Sequence, residues 1–289
     1  MKKSLLAVAV AAALPVVAQA QVTLFGVFDL GYRDNGTTTT MASGQWAGPR
    51  VGVRGSNDIG GGLKANFHVE SAIGYLGSAT WDTSRGAFAG LSGGFGRVDL
   101  GSRILSPSFW AAAAIDPTGQ SGLNITPYGG IGARIDKAAY YTSNSLSGLI
   151  VRAATVLSDD SSTGKSGFDA SAVYRAGPLT VAAAFGDNGT KDGMSLGLAY
   201  NLKVATVRVR FVDSELNNAD AVLVGASIPF GKVTGYVDFL KDNRTQKEDQ
   251  TLFAASYDLG KNTALYGYHK SIDKPGAKDT IGFGVRHSF

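Results

Sequence analysis

Residues Leu63–Glu70 read LKANFHVE, and apolar and polar side chains alternate along the whole stretch. The odd positions carry Leu, Ala, Phe and Val, and the even positions carry Lys, Asn, His and Glu. Successive side chains of an extended chain point to opposite faces. The stretch therefore predicts a β-strand with one apolar face and one polar face.

The same alternation recurs along the rest of the chain. It is visible in residues 22–32, in Ala205–Phe211, where two arginines share the polar face, and in Ile281–Phe289 at the end. Only residues 108–115 approach a helical spacing of apolar residues. An alternation with period two over so many segments predicts an all-β fold.

Turn signals divide the alternating runs at regular intervals. Seven connections are short and rich in Gly, Asn or Ser, near residues 57–61, 92–96, 144–148, 177–178, 202–203, 230–231 and 259–262. Eight connections are mostly longer and more polar, near residues 34–46, 73–83, 104–133, 158–166, 187–191, 214–218, 242–249 and 271–278. Fifteen connections join sixteen strands of roughly 8–12 residues, the length of a membrane-spanning strand. Short turns on one side and longer loops on the other are typical of an even-stranded barrel.

The width of such a barrel decides which face meets lipid. Sixteen strands enclose a lumen too wide for side chains to fill, so a barrel in water would need a dry apolar interior of improbable size. Apolar residues outside and polar residues inside require a membrane instead. Aromatic residues at strand ends share the apolar face, as an interfacial girdle requires: Tyr32, Tyr174, Tyr200, Phe211, Phe239, Tyr257 and Phe289. We therefore expect a 16-stranded antiparallel transmembrane β-barrel.

The first twenty residues are typical of a secretory signal peptide. A basic start at Lys2 and Lys3 precedes the apolar run 5–14, and small residues flank a cleavage point after Ala20. We expect a signal peptide over residues 1–20 and a barrel domain over 21–289. The mature chain would carry 25 basic and 23 acidic residues. This near-neutral balance and export from the cytoplasm argue against nucleic-acid binding. The chain contains no cysteine, which excludes disulfides and thiolate chemistry.

Assigning the apolar face to lipid places most strand charges in the lumen. Eleven basic residues point inward: Arg50, Arg54, Lys64, Arg97, Arg103, Arg134, Arg152, Arg175, Arg208, Arg210 and Arg286. Seven acidic residues share that face: Asp29, Glu70, Asp99, Asp136, Asp169, Asp238 and Asp258. The lumen therefore has an excess of four positive charges, which favours anions. Five of the basic residues are predicted to line the lumen away from its narrowest point: Arg54, Lys64, Arg152, Arg208 and Arg210.

A constriction is predicted where the long connection 104–133 folds into the lumen, because the connection is long, apolar and weakly charged. Four arginines lie at similar depth, counted from the nearest short turns: Arg50, Arg85, Arg103 and Arg134. Arg85 is the exception, because the alternation places it on the same strand face as Ala87 and Ala89, which are assigned to lipid. Glu70 and Asp116 are the candidate acids opposite the arginines. Structural salt bridges that brace the connection are the alternative for these charges.

Several segments resemble the general porins of β-proteobacterial outer membranes. They are VTLFGVFD at residues 22–29, GVRGSNDIGGGLKA at 52–65, GLSGGFG at 90–96, GPLTV at 177–181 and GVRHSF at 284–289. The resemblance covers the mature chain and implies a water-filled barrel, a homotrimer among outer-membrane lipids, and passive diffusion of small hydrophilic solutes. It also implies that the last strand, ending at Phe289, is read by the outer-membrane insertion machinery.

Two other functions remain open from the residues alone. A barrel hydrolase would need a histidine base beside a nucleophile, and only His68 lies on the lumenal face of a strand. A binding or adhesion protein would need elaborate loops, whereas loops 187–191 and 214–218 are brief. No catalytic residue, metal site or cofactor is expected.

Overall fold

A computed structural model describes residues 21–74, 76, 81–116, 118, 122–123, 125, 127–157, 167–244 and 248–289, with the backbone alone for 81–84. The predicted signal peptide and loop 158–166 lie outside the described residues. Nineteen strands are described: β1 Gln21–Asp34, β2 Thr39–Ser43, β3 Arg50–Gly60, β4 Leu63–Ile73, β5 Trp81–Gly93, β6 Gly96–Ser102, β7 Ile104–Leu105, β8 Arg134–Ile135, β9 Ala138–Thr142, β10 Leu149–Val156, β11 Phe168–Ala176, β12 Leu179–Asp187, β13 Asp192–Asn201, β14 Thr206–Ser214, β15 Ala219–Phe230, β16 Val233–Asp242, β17 Asp249–Gly260, β18 Thr263–Asp273 and β19 Thr280–Ser288. The helix α1 spans Pro107–Ile115.

Seventeen of these strands form one closed antiparallel barrel. The lower half of β1 pairs with β3 and its upper half pairs with β2, so β2 and β3 share one position in the wall. Strand β6 pairs directly with β9, and β1 pairs with β19 to close the ring. The predicted barrel of sixteen strand positions is confirmed. The seven predicted short turns all join neighbouring wall strands at one end, here called the short-turn end; the opposite end is the long-loop end.

The second wall position differs from the prediction, which placed a single loop over residues 34–46. Strand β2 lies within that range, and residues 44–49, here called the inner segment, turn into the lumen before β3 begins. Gly44 permits the turn because it adopts a φ of 69°. The carboxylate of Asp29 accepts hydrogen bonds from the backbone N–H of Trp46 at 2.7 Å and of Ala47 at 2.5 Å.

The outer surface carries the apolar side chains that alternation assigned to lipid. In β13, for example, Met194, Leu196 and Leu198 are exposed while the intervening residues are buried. All seven aromatic residues predicted for the outer girdle are exposed, from 37% for Tyr32 to 51% for Phe211 and Phe239. An apolar exterior of this kind is stable in lipid.

The described residues of the connection 104–133 lie inside the barrel, as predicted. It begins with β7, which pairs with β8, and continues into α1. Ser106 caps the helix by accepting a hydrogen bond from the N–H of Phe109, and Pro107 follows at the first helical position. The helix packs on the inner face of β11, β12 and β13, with Ala111 and Ile115 buried against the wall.

Among the described residues, no helix has the length and apolar character needed to cross a membrane.

Candidate pore constriction

Glu70 lies at the centre of a group of arginines on the inner wall. Its Oε1 accepts a hydrogen bond from Arg85 Nε at 2.6 Å and lies 3.5 Å from Arg134 Nη2. His68 Nε2 lies 3.5 Å from the other carboxylate oxygen. Glu70 was expected to face the arginines across the lumen. The structure places it among them, because β4, which carries Glu70, is the immediate neighbour of β3 and β5.

Arg85 points into the lumen because the register between β4 and β5 is irregular. Glu70 pairs with Gly86, but Ala72 pairs with Asp82, so residues 83–85 stand opposite a single residue of β4. A bulge of this kind re-aims the side chains within it. Simple alternation had grouped Arg85 with the lipid-facing alanines of β5. The bulge explains why that parity does not hold at this position.

Arg50, Arg85, Arg103 and Arg134 are brought together with Glu70, and we call this group the arginine cluster. The guanidinium of Arg134 donates to the carbonyl oxygen of Arg103 at 2.9 Å. Arg50 Nη1 donates to Gly48 O of the inner segment at 3.2 Å. Arg103 lies 3.5 Å from Asp136 in a half-exposed ion pair. Counting Glu70 and Asp136, four cations face two anions, which leaves an excess of two positive charges.

The excess of positive charge in the cluster affects Arg134, which lies in β8 directly after the connection 104–133. Burial and the positive charge of Arg85 lower the pKa of Arg134 to about 10, and Glu70 opposes this shift. Arg103 and Arg50 also lower it. The cluster is thus a site where cations outnumber the available anions, a condition that attracts anions from solution.

Asp116 occupies a different wall. It follows the last residue of α1, and its Oδ1 accepts hydrogen bonds from Thr118 N at 2.8 Å and Thr118 Oγ1 at 2.7 Å. Its charge acts on Arg210 of β14 and Asp238 of β16. Those strands occupy wall positions eleven and thirteen, whereas β3, β4 and β5 occupy positions two to four. Asp116 therefore lies across the lumen from the arginine cluster.

The wall near Asp116 is almost neutral. The guanidinium of Arg208 makes a buried ion pair with Asp238. Arg210 Nη2 donates to Ser195 Oγ at 3.4 Å, and Asp116 supplies nearby negative charge. Two arginines are thus balanced by two carboxylates. The excess positive charge in this part of the lumen belongs to the arginine cluster.

Arg54 takes part in a continuous array of stacked side chains nearer the short-turn end. Its guanidinium lies 5.1 Å from the ring centre of Phe25, and His68 lies between Phe25 and Phe88 at 5.3 and 4.7 Å. Arg97 lies 5.9 Å from Phe88 at the far end. Both faces of the His68 ring are therefore covered, which holds it in position beside Glu70.

The two remaining lumen-lining predictions have different surroundings. Lys64 is exposed near the short-turn end of β4. Arg152 lies 5.2 Å from the ring centre of Trp110, and thereby packs α1 against β10.

Two anchors of the lumenal segments were not identified as such from the sequence. Asp169 of β11 is fully buried and accepts hydrogen bonds from Ser108 N at 2.7 Å and Ile131 N at 3.0 Å. The inner segment places Trp46 against Tyr236 and Tyr266, and the carbonyl oxygen of Trp46 accepts from Gly122 N at 3.0 Å. Asp169 had been assigned only as an inward charge. The one sequence feature that indicates a special role for Asp169 is its position as a single inward acid on an otherwise mostly apolar strand.

The described histidines are far apart. His269 lies 2.9 Å from Asp279 in an exposed pair, and His287 contacts Thr263 on the outer surface at 2.8 Å. The described residues contain no group of three or more histidine, aspartate or glutamate side chains arranged to hold a metal. Asp249 pairs with Lys241.

The family model described as Gram-negative porin matches residues 6–277. Outer membrane porin protein 32 of Delftia acidovorans is 31% identical over 320 aligned residues, which cover 92% of this chain and 88% of that protein. The major outer membrane protein P.IB of Neisseria meningitidis is 27% identical over the full length of both.

A solved structure, that of the anion-selective porin from Comamonas acidovorans, superposes with a TM-score of 0.74 at 22% identity. It covers 94% of this chain and 100% of that one.

Proposed function

Because the chain belongs to the Gram-negative porin family, we propose that its lumen passes small hydrophilic solutes by diffusion and favours anions. It is an outer-membrane β-barrel channel rather than an enzyme. The observation that carries the anion preference is the arginine cluster, where four guanidinium groups are accompanied by only two carboxylates, those of Glu70 and Asp136. Charged groups at a constriction set selectivity because permeating ions lose part of their hydration there.

We propose Arg50, Arg85, Arg103, Arg134, Glu70 and Asp116 as the residues of the constriction. The arginine cluster forms one side and Asp116 stands across the lumen on the connection 104–133. Glu70 bridges Arg85 and Arg134 through one carboxylate oxygen, while Asp116 balances Arg210. The two sides produce a field across the lumen that is positive at β3–β5. Arg54, Lys64, Arg152, Arg208 and Arg210 line the remaining wall.

We propose that the chain is exported from the cytoplasm before it is assembled in the outer membrane. Residues 1–20 direct secretion and are removed after Ala20, and the insertion machinery then reads the strand that ends at Phe289. We propose a homotrimer as the assembled form. Its support is the family and the trimer form of the outer membrane protein OmpT of Vibrio cholerae, whose chain superposes with a TM-score of 0.69 at 16% identity over 93% of this chain and 99% of that one.

Planar-bilayer recording tests the anion preference. In a gradient of KCl at an ionic strength of about 0.1 M, where screening extends over about 10 Å, the wild type should show a reversal potential that favours chloride. Changing Arg50→Glu and Arg134→Glu together alters the cluster from an excess of two positive charges to an excess of two negative charges. This double variant should favour potassium, and Arg50→Gln with Arg134→Gln should lie between them.

Lys232→Glu is the matched control, because Lys232 is exposed in a turn at the short-turn end. Its reversal potential should stay close to that of the wild type. Should the double glutamate variant conduct with an unaltered reversal potential, the assignment of the constriction is wrong. A protein that folds but passes no current would contradict the channel itself.

A further inference from the structure

A cavity of about 370 Å³ lies against the inner wall towards the long-loop end, separate from the arginine cluster. We call it the outer pocket. Leu240 of β16, Gln250 of β17 and Lys270 of β18 line its wall side, and Ile125, Pro127 and Tyr128 of the long connection line its lumenal side. Its volume is within the range of pockets that bind small organic molecules.

Asp220, Asp242 and Arg244 also line the outer pocket, and Asp242 and Arg244 pair with each other. Asp242 is buried and accepts hydrogen bonds from Arg244 Nε at 2.9 Å and from two backbone N–H groups at 3.0 and 3.1 Å. Asp220 is exposed between two buried neighbours in β15, so its carboxylate points away from the lumen, where Asn243 donates to it. Neither carboxylate is available to a cation inside the pocket.

Lys270 is the uncompensated charge. It alternates with the buried Tyr266 and Tyr268 on the inner face of β18. Within the described part of the chain, its ammonium group makes no ion pair or hydrogen bond. A partly desolvated ammonium with three unused donors is a site for a negatively charged oxygen.

Gln250 adds an unused acceptor close by. Its Oε1 is buried and receives no hydrogen bond from any described residue. Gln250 pairs with Ile272, and Leu252 pairs with Lys270, so Gln250 and Lys270 are diagonal neighbours on adjacent strands. Side chains in this relation project to the same face, about 7–8 Å apart, and can contact the same small molecule.

We propose that the outer pocket binds an apolar 2-hydroxy monocarboxylate, held before it reaches the arginine cluster. The carboxylate pairs with Lys270, the adjacent hydroxyl donates to Gln250 Oε1, and the hydrocarbon part contacts Ile125, Pro127 and Leu240. An amino acid fits less well, because its ammonium group would stand beside that of Lys270. The inference rests on the proposed channel, since the solute enters from the long-loop end.

Calorimetric titration of the refolded full-length protein in detergent tests the proposal without relying on conduction. The probe is 2-hydroxy-3-phenylpropanoate, compared with 3-phenylpropanoate, which lacks only the hydroxyl, and with phenylalanine. The wild type should bind the hydroxy acid about tenfold more tightly than either comparison molecule, because a buried acceptor left unpaired costs about that much.

Two variants separate the contributions of the two side chains. Lys270→Met should weaken binding of both carboxylates by about tenfold or more, the effect expected for losing a charge-assisted hydrogen bond. Gln250→Leu should retain binding of 3-phenylpropanoate and lose the preference for the hydroxy acid. Lys191→Met is the control, since Lys191 is exposed in a loop at the same end, outside the pocket.

Equal weakening by Lys270→Met and Lys191→Met would overturn the proposal, because general attraction by positive charge would then explain binding. Absence of binding to the wild type, or binding without preference for the hydroxyl, would overturn it as well. KCl conductance of the same preparations is recorded separately. A conducting protein that does not bind the probe contradicts the outer pocket alone, whereas a folded protein without conductance contradicts the channel.

Discussion

Asp169 shows how one buried carboxylate positions the lumenal connection. Its two oxygens accept from the N–H and hydroxyl of Ser108 at the start of α1 and from the N–H of Ile131 near the end of the connection. Gly130 and Gly186 pack against the same carboxylate, where an added Cβ would come within 2.1 and 2.9 Å of Asp169 Oδ2. The start and the end of the connection are thereby fixed to one point on β11.

Replacing Asp169→Ala should loosen the connection while leaving the wall intact. Two backbone donors and a hydroxyl lose their acceptor, at a cost of about 1–3 kcal/mol for a buried group left unpaired. We expect faster hydrogen exchange at residues 107–115 and 127–133 and a noisier open-channel current. Ser171→Ala is the control, because the buried Ser171 Oγ has no hydrogen-bond partner among the described residues. Unaltered exchange in Asp169→Ala would contradict the anchoring role.

Individual site residues were predictable only where the strand is regular. Alternation and depth selected Arg50 on the regular strand β3, but the same alternation assigned Arg85 to lipid, because a bulge leaves no trace in the spacing of apolar residues. Glu70 was correctly predicted to be inward and was placed on the wrong wall. The depth of a residue along its strand can be counted from the nearest turn in the sequence. Which wall the residue faces across the lumen depends on how strands that are distant in the sequence pair when the barrel closes.

At the level of elements, the fit of α1 on the wall depends on a glycine beneath the helix, where a side chain would leave too little space. Gly197 of β13 lies under Ile115, and a Cβ at Gly197 would come within 2.6 Å of Ile115 Cγ1. Three alanines, Ala182, Ala184 and Ala199, form most of the remaining wall beneath the helix, together with Val173. The helix therefore lies close to the wall and leaves the lumen open.

Gly197→Val should push α1 towards the lumen axis. Overpacking of this kind costs about 1–3 kcal/mol, so we expect lower single-channel conductance and a lower melting temperature. Combining it with Ile115→Ala should restore both values towards the wild type, because space is returned at the same contact. Gly235→Val is the control, since no atom lies within 4 Å of a Cβ at Gly235. A normal conductance in Gly197→Val alone would show that the helix does not border the conducting path.

The interrupted second wall position could not be read from the sequence. Residues 34–46 look like a polar loop, and β2 within them lacks the apolar alternation of the other strands. The inner segment is held by Asp29 of β1 and by Tyr266 and Tyr268 of β18, which contact the side chain of Gln45. Its conformation follows from tertiary contacts, which local patterns do not encode.

In the whole molecule, the closure between β19 and β1 extends to the last residue, Phe289. Phe289 N donates to Gly26 O at 3.1 Å, and Gly26 N donates to Phe289 O at 3.0 Å. The ring of Phe289 covers Gly26 and stacks on Phe28 with ring centres 6.0 Å apart. The number of strands, the closure and the lipid-facing surface were all predictable, because each depends on a pattern repeated along the entire chain.

The variant Phe289→Ala distinguishes the role of Phe289 in closing the barrel from its proposed role as a signal for the outer-membrane insertion machinery. The backbone hydrogen bonds to Gly26 remain, so refolding in detergent should lose only about 1 kcal/mol of stability for the lost aromatic contact. In cells, the amount of assembled protein should fall several-fold, because the terminal ring is the proposed signal. Phe283→Ala is the control: Phe283 is on the same face of β19 and stacks on Tyr32 at 5.1 Å. Equal yields of the two variants in cells would contradict the signal.

The contacts of Asp29 impose an order on folding. The carboxylate that fixes the inner segment also accepts a hydrogen bond from the hydroxyl of Tyr266, which is 237 residues away. Trp46, held by Asp29, in turn contacts the connection 104–133 through Gly122. Contacts between residues so far apart in the chain form late, because the intervening loop must first be closed at an entropic cost. We therefore expect the inner segment to become ordered only when the final strands, β18 and β19, have joined the wall and closed the barrel.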